Sequence, residues 1–184
     1  MSTATLPPPP ATAPASTATS APIVEQLREA PLYELVDGVR VELPEMSIYS
    51  NLVKSRLFVE LGLFVKSTAS GQAVVETLFV LDPETNLQRW PDIAFVSQER
   101  WPLDREVPWE GEWQVVPDLC IEITSPSDLY DTIKKKVSDY LRFGVRQVWV
   151  LWPPGGKVQV CTQDGVSQIN RDGVLTGGDM FPGL

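Results

Sequence analysis

The sequence predicts an α/β fold, with a mixed central β-sheet flanked by helices. Three observations carry this. The hydrophobic period alternates along the chain, giving strands, a helix, strands, a second helix and strands again. Two runs, Asp118–Thr124 and Gln147–Trp152, are apolar on both faces, as strands inside a covered sheet are. The chain has 184 residues, 43% of them apolar, which suits one domain with a sizeable core.

Residues 1–24 read as a disordered tail rich in Pro, Ala and Thr. They include Pro7-Pro8-Pro9-Pro10 and carry no charged side chain. Such a segment has too little large apolar surface to offset its ordering entropy, and it suits a linker or spacer. It lacks the basic start and continuous apolar stretch of a signal peptide. The folded domain is expected over 25–184.

Within the domain, Leu32–Val36 is a short strand. Asp37-Gly38 is a hairpin turn of the type I′ kind, and Val39–Leu43 returns beside the first strand. From Ser47 to about Ser67 the period becomes helical, with Val53, Leu57, Leu61 and Phe64 on the apolar stripe and Lys54 off it. Ser70-Gly71 closes that helix. Ala73–Val80 reads as one strand, 82–86 as a turn, and Asp92–Val96 as a short apolar strand. Residues 97–114 form a loop rich in Trp, Pro and charge. Asp118–Thr124 is the central strand. Ser125–Asp128 caps a helix running to about Phe143, where Gly144 stops it. Its stripe is Leu129, Ile133, Val137 and Tyr140. Gln147–Trp152 is a buried strand, and Val158–Cys161 with Val166–Ile169 forms a C-terminal hairpin.

Composition excludes several chemistries. There is no His, so Ser-His-Asp and Cys-His nucleophile systems and His-ligated zinc are ruled out. Two cysteines cannot build a four-thiolate metal site or a disulfide framework. The net charge is −9, which argues against a broad nucleic-acid-binding surface and leaves room for a local cleft or an acidic metal site. No apolar run approaches the ~20 residues that span a bilayer. A cytoplasmic protein is therefore expected.

Acids inside apolar strands need a partner or a cation. Asp92 opens a strand after Pro91, and Glu122 lies between Ile121 and Ile123. If the two strands are neighbours, both carboxylates can meet one hard cation such as Mg²⁺. Taken singly, Asp92 could instead be a turn acid, and Glu122 a buried acid paired with Lys or Arg. Asp118 lies on the same face as Glu122 but about 13 Å along the strand, too far to share an ion. In the second helix Lys134 and Lys135 face solvent, whereas Lys136 borders the packed stripe and can turn its ammonium toward the sheet. Glu34, just before the Asp-Gly turn, is a further candidate whose default reading is a surface acid. Tyr140 and the six tryptophans read as packing residues, with Trp101 and Trp109 possible base-stacking exceptions.

These residues fall within four motifs: Tyr33-Glu34-Leu35-Val36-Asp37-Gly38, Arg89-Trp90-Pro91-Asp92-Ile93-Ala94-Phe95-Val96, Pro117 to Asp128, and Lys136 to Trp149. Together and in this order they resemble the bacterial "putative restriction endonucleases", a former domain of unknown function within the PD-(D/E)xK nuclease superfamily. The resemblance covers about residue 30 to the C-terminus. It implies a restriction-endonuclease-like core and hydrolysis of nucleic-acid phosphodiester bonds by an endonuclease. It implies catalytic roles for Glu34, Asp92, Glu122 and Lys136, with Mg²⁺ or Mn²⁺ on Asp92, Glu122 and the main-chain carbonyl of Ile123. The implied partner is nucleic acid, DNA before RNA, and cutting both strands of a duplex suits a homodimer. Two departures stand out. Thr124 occupies the usual superfamily Lys position, the family Lys matching Lys136 instead. Ser50 stands where family members often carry a His. Two alternatives stay open: a catalytically inactive binding or regulatory module on the same fold, and a carboxylate-pair hydrolase of sugars.

Overall fold

The computed structural model describes residues 31–126 and 128–184. The Pro-rich tail, the expected domain start at residue 25 and Ser127 of the predicted cap lie outside the described residues. Residues Pro31–Leu184 form one compact unit. Among the described residues no helix is long and apolar enough to cross a membrane.

Strands β1 (Tyr33–Val36) and β2 (Val39–Glu42) form the predicted hairpin. Asp37 and Gly38 take φ of 53° and 74°, as a type I′ turn requires. Helix α1 spans Ile48–Thr68. Then come β3 (Gly71–Val75), β4 (Phe79–Asp82), β5 (Leu87–Arg89) and β6 (Ile93–Ser97). After a long connection follow β7 (Leu119–Ile123), helix α2 (Tyr130–Arg142), β8 (Gln147–Trp152), β9 (Lys157–Thr162) and β10 (Gly165–Ile169).

The strands form two sheets. The larger has order β10-β9-β8-β7-β6-β3, and β7 and β8 are its one parallel pair. The smaller, β2-β1-β5-β4, is antiparallel. Odd-numbered residues of β6, β7 and β8 (Ile93, Ile121, Ile123, Trp149) face a core closed by Leu61 and Val65 of α1. Even-numbered ones (Ala94, Cys120, Val148, Val150) face a core closed by Ile133 and Tyr140 of α2. Phe79, Leu81 and Leu87 of the smaller sheet join that second core. At the C-terminus, Phe181 is fully buried against Phe64, Phe95 and Trp149.

The mixed sheet flanked by helices is as expected, with β7 inside it. Three local readings are corrected, and one strand that the sequence left unassigned, β5, appears. Ala73–Val80 is not one strand: Glu76 adopts φ 45°, the chain bends there, and β4 continues into the smaller sheet. No Gly or Pro marks that bend, which falls at Glu76-Thr77 between the apolar runs Ala73–Val75 and Leu78–Leu81. Leu87–Arg89 is a strand, too short to show a period. Lys54 faces inward, 7% exposed, because Glu76 pairs with its ammonium; the inward face of α1 is Ser50, Lys54, Leu61 and Val65. Leu129 precedes α2 and is exposed, so it does not belong to that helix's stripe.

The end of α1 also differs. The left-handed residue is Ala69, φ 49°, not a glycine. Gly71 instead opens β3, where a Cβ would stand 2.2 Å from the Val96 carbonyl oxygen. The two positions should therefore respond oppositely. Ala69→Gly should stabilise by about 0.5–1 kcal/mol, from relief of the left-handed cost less the entropy Gly adds to the unfolded chain. Gly71→Ala should cost about 1–3 kcal/mol through overpacking. Urea unfolding of both variants checks this.

Candidate functional site

The site lies where β6 begins and β7 ends. These strands pair Ile93 with Ile121, so Asp92 stands opposite Glu122 one step further, on the same face of the sheet. Directly opposed strand residues have Cβ atoms about 4.5–5.5 Å apart. Asp92 Oδ2 accepts the Ile123 N–H at 2.6 Å, which turns the carboxylate toward the end of β7. The N–H and C=O of one strand residue point to the same side, so the Ile123 carbonyl also faces the Asp92 side.

Glu122 is 4% exposed and receives two donors, the Tyr140 hydroxyl on Oε1 at 2.7 Å and Lys136 Nζ on Oε2 at 3.0 Å. Lys136 Nζ also lies 3.0 Å from Glu34 Oε1. Glu34 is 2% exposed and takes Arg89 Nη1 at 2.6 Å and the Trp90 N–H at 3.0 Å. Arg89 reaches on to Asp139 of α2. Thus Glu34, Glu122 and Lys136 meet through direct hydrogen bonds, with Asp92 beside them on the sheet. The surface reading of Glu34 is overturned: β1 joins β5, and the side chain is enclosed between the small sheet and α2.

Burial pushes Asp92 up to about 6, against the opposing pull of the Ile123 N–H and of Lys136 and Lys54. Burial likewise pushes Glu122 up to about 7; Lys136 opposes the shift, while Asp92 and Glu34 add to it. For Lys136, burial disfavours the ammonium, yet Glu122 and Glu34 outweigh it and raise its pKa above the ordinary value. Burial also holds Tyr140 well above its ordinary value, so it is a neutral donor.

The remaining candidates are placed elsewhere. Asp118 is fully buried at the other end of β7, where Oδ2 takes the Ser97 N–H at 2.8 Å and Oδ1 faces Arg100 Nε at 3.0 Å. Trp101 is a core residue, T-stacked on Trp113 and covered by the Arg105 guanidinium. Trp109 is 97% exposed, but its segment joins the far ends of β6 and β7, away from Asp92 and Glu122. Ser50 donates to the Thr124 carbonyl at 3.1 Å, tying α1 to the end of β7.

Sequence reasoning missed Arg89, Asp139 and the polar role of Tyr140. Helical spacing offered one signal: Lys136, Asp139 and Tyr140 lie three and four residues apart on one face. Arg89 could not be ranked without knowing that β5 pairs with β1.

The donors suit a hard divalent cation. Four acids (Glu34, Asp92, Glu122, Asp139) surround two bases (Arg89, Lys136), and 4 − 2 leaves two negative charges when all are ionised. Among the described residues no three His, Cys, Asp or Glu side chains form a cation site. Two carboxylates with carbonyl, water and phosphate oxygens completing the shell is the pattern Mg²⁺ accepts.

The fold is a nuclease-like mixed α/β fold. The fold matches the crystal structure of a "putative nuclease belonging to DUF820" from Anabaena variabilis ATCC 29413, with a TM-score of 0.73 and 21% identity over 88% of this chain and 90% of that one. The chain belongs to the Uma2 family, described as "Putative restriction endonuclease", whose profile matches residues 23–184. No curated protein gives a significant match.

The raised carboxylates set a pH dependence for the metal-free protein. Both fold with pKa values above their unfolded ones, so their stabilising effect is full below about pH 4 and is lost as pH rises through about 6 to 7. Between pH 5 and 7.5, the melting temperature in EDTA should fall more steeply for wild type than for Asp92→Asn. Equal slopes would contradict the assignment.

Proposed function

We propose that the protein is a metal-dependent endonuclease that hydrolyses nucleic-acid phosphodiester bonds. The observation that carries this is the Asp92–Glu122 pair opposed across β6 and β7, with the Lys136 ammonium 3.0 Å from Glu122. Asp92, Glu122 and the Ile123 carbonyl would hold Mg²⁺ or Mn²⁺. Such a cation supplies charge neutralisation at the phosphoryl group and lowers the pKa of water.

The protein's own groups do the rest. Lys136, kept charged by Glu34 and Glu122, offers a fixed cation to a phosphoryl oxygen or holds the attacking water in line. Glu34, anchored by Arg89 and the Trp90 N–H, holds the ammonium in place. Tyr140 fixes the rotamer of Glu122. Without a cation, this net-negative cluster repels a phosphate, so cleavage should depend strictly on divalent metal. DNA is the substrate in this proposal, a homodimer presents the two sites a duplex cut needs, and the enzyme works in the cytoplasm.

One observation favours a second reading, a non-catalytic binding module on the same fold. Lys136 and Tyr140 already occupy both Glu122 oxygens, making a satisfied structural network.

Assays on single-stranded DNA, duplex DNA and RNA, with Mg²⁺ or Mn²⁺ against EDTA, separate the two. Endonuclease action predicts cleavage only with metal, abolished in Asp92→Ala and Glu122→Ala, and reduced at least about 10²-fold in Lys136→Met. Metal binding with no cleavage of any substrate selects the second reading. Full activity in Asp92→Ala would refute the assignment.

A further inference from the structure

A second set of residues lies on the same sheet face, one strand beyond the carboxylates. Glu122 pairs with Val150 in the parallel β7–β8 ladder, and Trp152 is two residues further along β8 on the face of Val150. At about 4.8 Å between strands and 3.3 Å per residue, the Trp152 Cα stands about 8 Å from that of Glu122. That is within the reach of one nucleotide. The Trp152 indole donates to Gln159 Oε1 at 3.1 Å, which locks the ring against β9. Tyr130, the first residue of α2, stacks on it with centroids 6.0 Å apart and planes 27° from parallel.

Tyr130 is nonetheless 63% exposed. Its ring leans on Trp152, while most of the residue is open to solvent. An aromatic ring ordered from beneath and bare above is an uncommon use of apolar surface, and every nucleobase has a π-face to fit it. Two exposed cations flank the stack. Lys157 is directly opposite Trp152 across β8 and β9, and Lys134 is one helical turn from Tyr130. Neither has a carboxylate within ion-pair distance among the described residues.

We propose that Tyr130, supported by Trp152, is a stacking platform for an unpaired nucleobase next to the scissile phosphate, with Lys157 and Lys134 near the flanking phosphates. The ligand class is single-stranded or locally opened nucleic acid, because a base inside a duplex offers no free face. This rests on the endonuclease reading for the position of the phosphate. The stacking itself is tested by binding alone.

The test is fluorescence titration of the full chain, in Ca²⁺, with a short single-stranded oligonucleotide carrying 2-aminopurine, beside a blunt duplex of the same sequence. Stacking quenches the 2-aminopurine. The platform predicts preference for the single strand, with quenching. Tyr130→Ala and Tyr130→Leu should weaken single-strand binding by about tenfold and abolish the quench, while Tyr130→Phe should stay within about twofold of wild type. Tyr130→Leu keeps apolar bulk at an exposed position, so its loss reports the missing ring and not a folding defect. Wild-type affinity and quench in Tyr130→Ala would overturn the platform, even if metal-dependent cleavage is observed. Failure of wild type to bind single strands, or a preference for duplex, would overturn it too. Loss of stacking in the variants with no cleavage under any metal would leave the platform standing and remove the endonuclease reading.

Discussion

The buried ammonium of Lys136 is the interaction on which the rest of this site depends. It projects from α2 to within 3.0 Å of Glu34 in the small sheet and 3.0 Å of Glu122 in the large one. One side chain therefore ties α2 and the preceding strand β7 to β1, which lies far back in the sequence. A buried charge costs several kcal/mol unless it is paired and its hydrogen bonds are met. Two carboxylates meet that need here, and Lys136 stays protonated despite its burial. The compensation is local. It satisfies Glu34 and half of Glu122, and leaves Asp92 with one main-chain donor among the described residues. The fold thus balances its acids only in part, and the imbalance sits at the open end of the central strands.

The topology explains why that imbalance falls there. β6 and β7 run antiparallel, so the residue just before β6 meets the end of β7, and Asp92 comes to face Glu122. The parallel β7–β8 step brings the C-terminal end of β8, with Trp152, to the same end of the sheet. Glu76 bends the chain from one sheet to the other and donates its N–H to the Asp92 carbonyl, which fixes the start of β6. Ser50 and Lys54 on α1 close the opposite side through Thr124 and Glu76. The long connection between β6 and β7 is placed at the far end, where Trp101 and Trp113 pack it onto the α2-side core through Phe79.

Much of this was legible from residues. The period changes located both helices, the doubly apolar runs located β7 and β8, and Asp37-Gly38 located the first hairpin. Asp92, Glu122 and Lys136 stood out because charge inside an apolar pattern demands a partner. What could not be read were facts about pairing between sheets. Glu34 looked like a surface acid because its burial depends on β5, three residues long, lying against β1. Lys54 looked solvated because its partner, Glu76, sits at a bend that no Gly or Pro announces. Tyr140 was legible as packing, but its hydroxyl needed the position of Glu122 to be understood. The exposed ring of Tyr130 gave no signal, since its meaning comes from Trp152 beneath it.

The central claim is that Asp92 and Glu122 form one divalent-cation site. Calorimetry of Mg²⁺ and Mn²⁺ binding at about pH 6.5, in buffers of different ionisation enthalpy, tests it most directly. The account predicts binding of one ion with release of protons, because both carboxyls are partly protonated there, and loss of both signals in the Asp92→Ala/Glu122→Ala double variant. Binding that survives in the double variant, or no binding by folded wild type at millimolar metal, would contradict it.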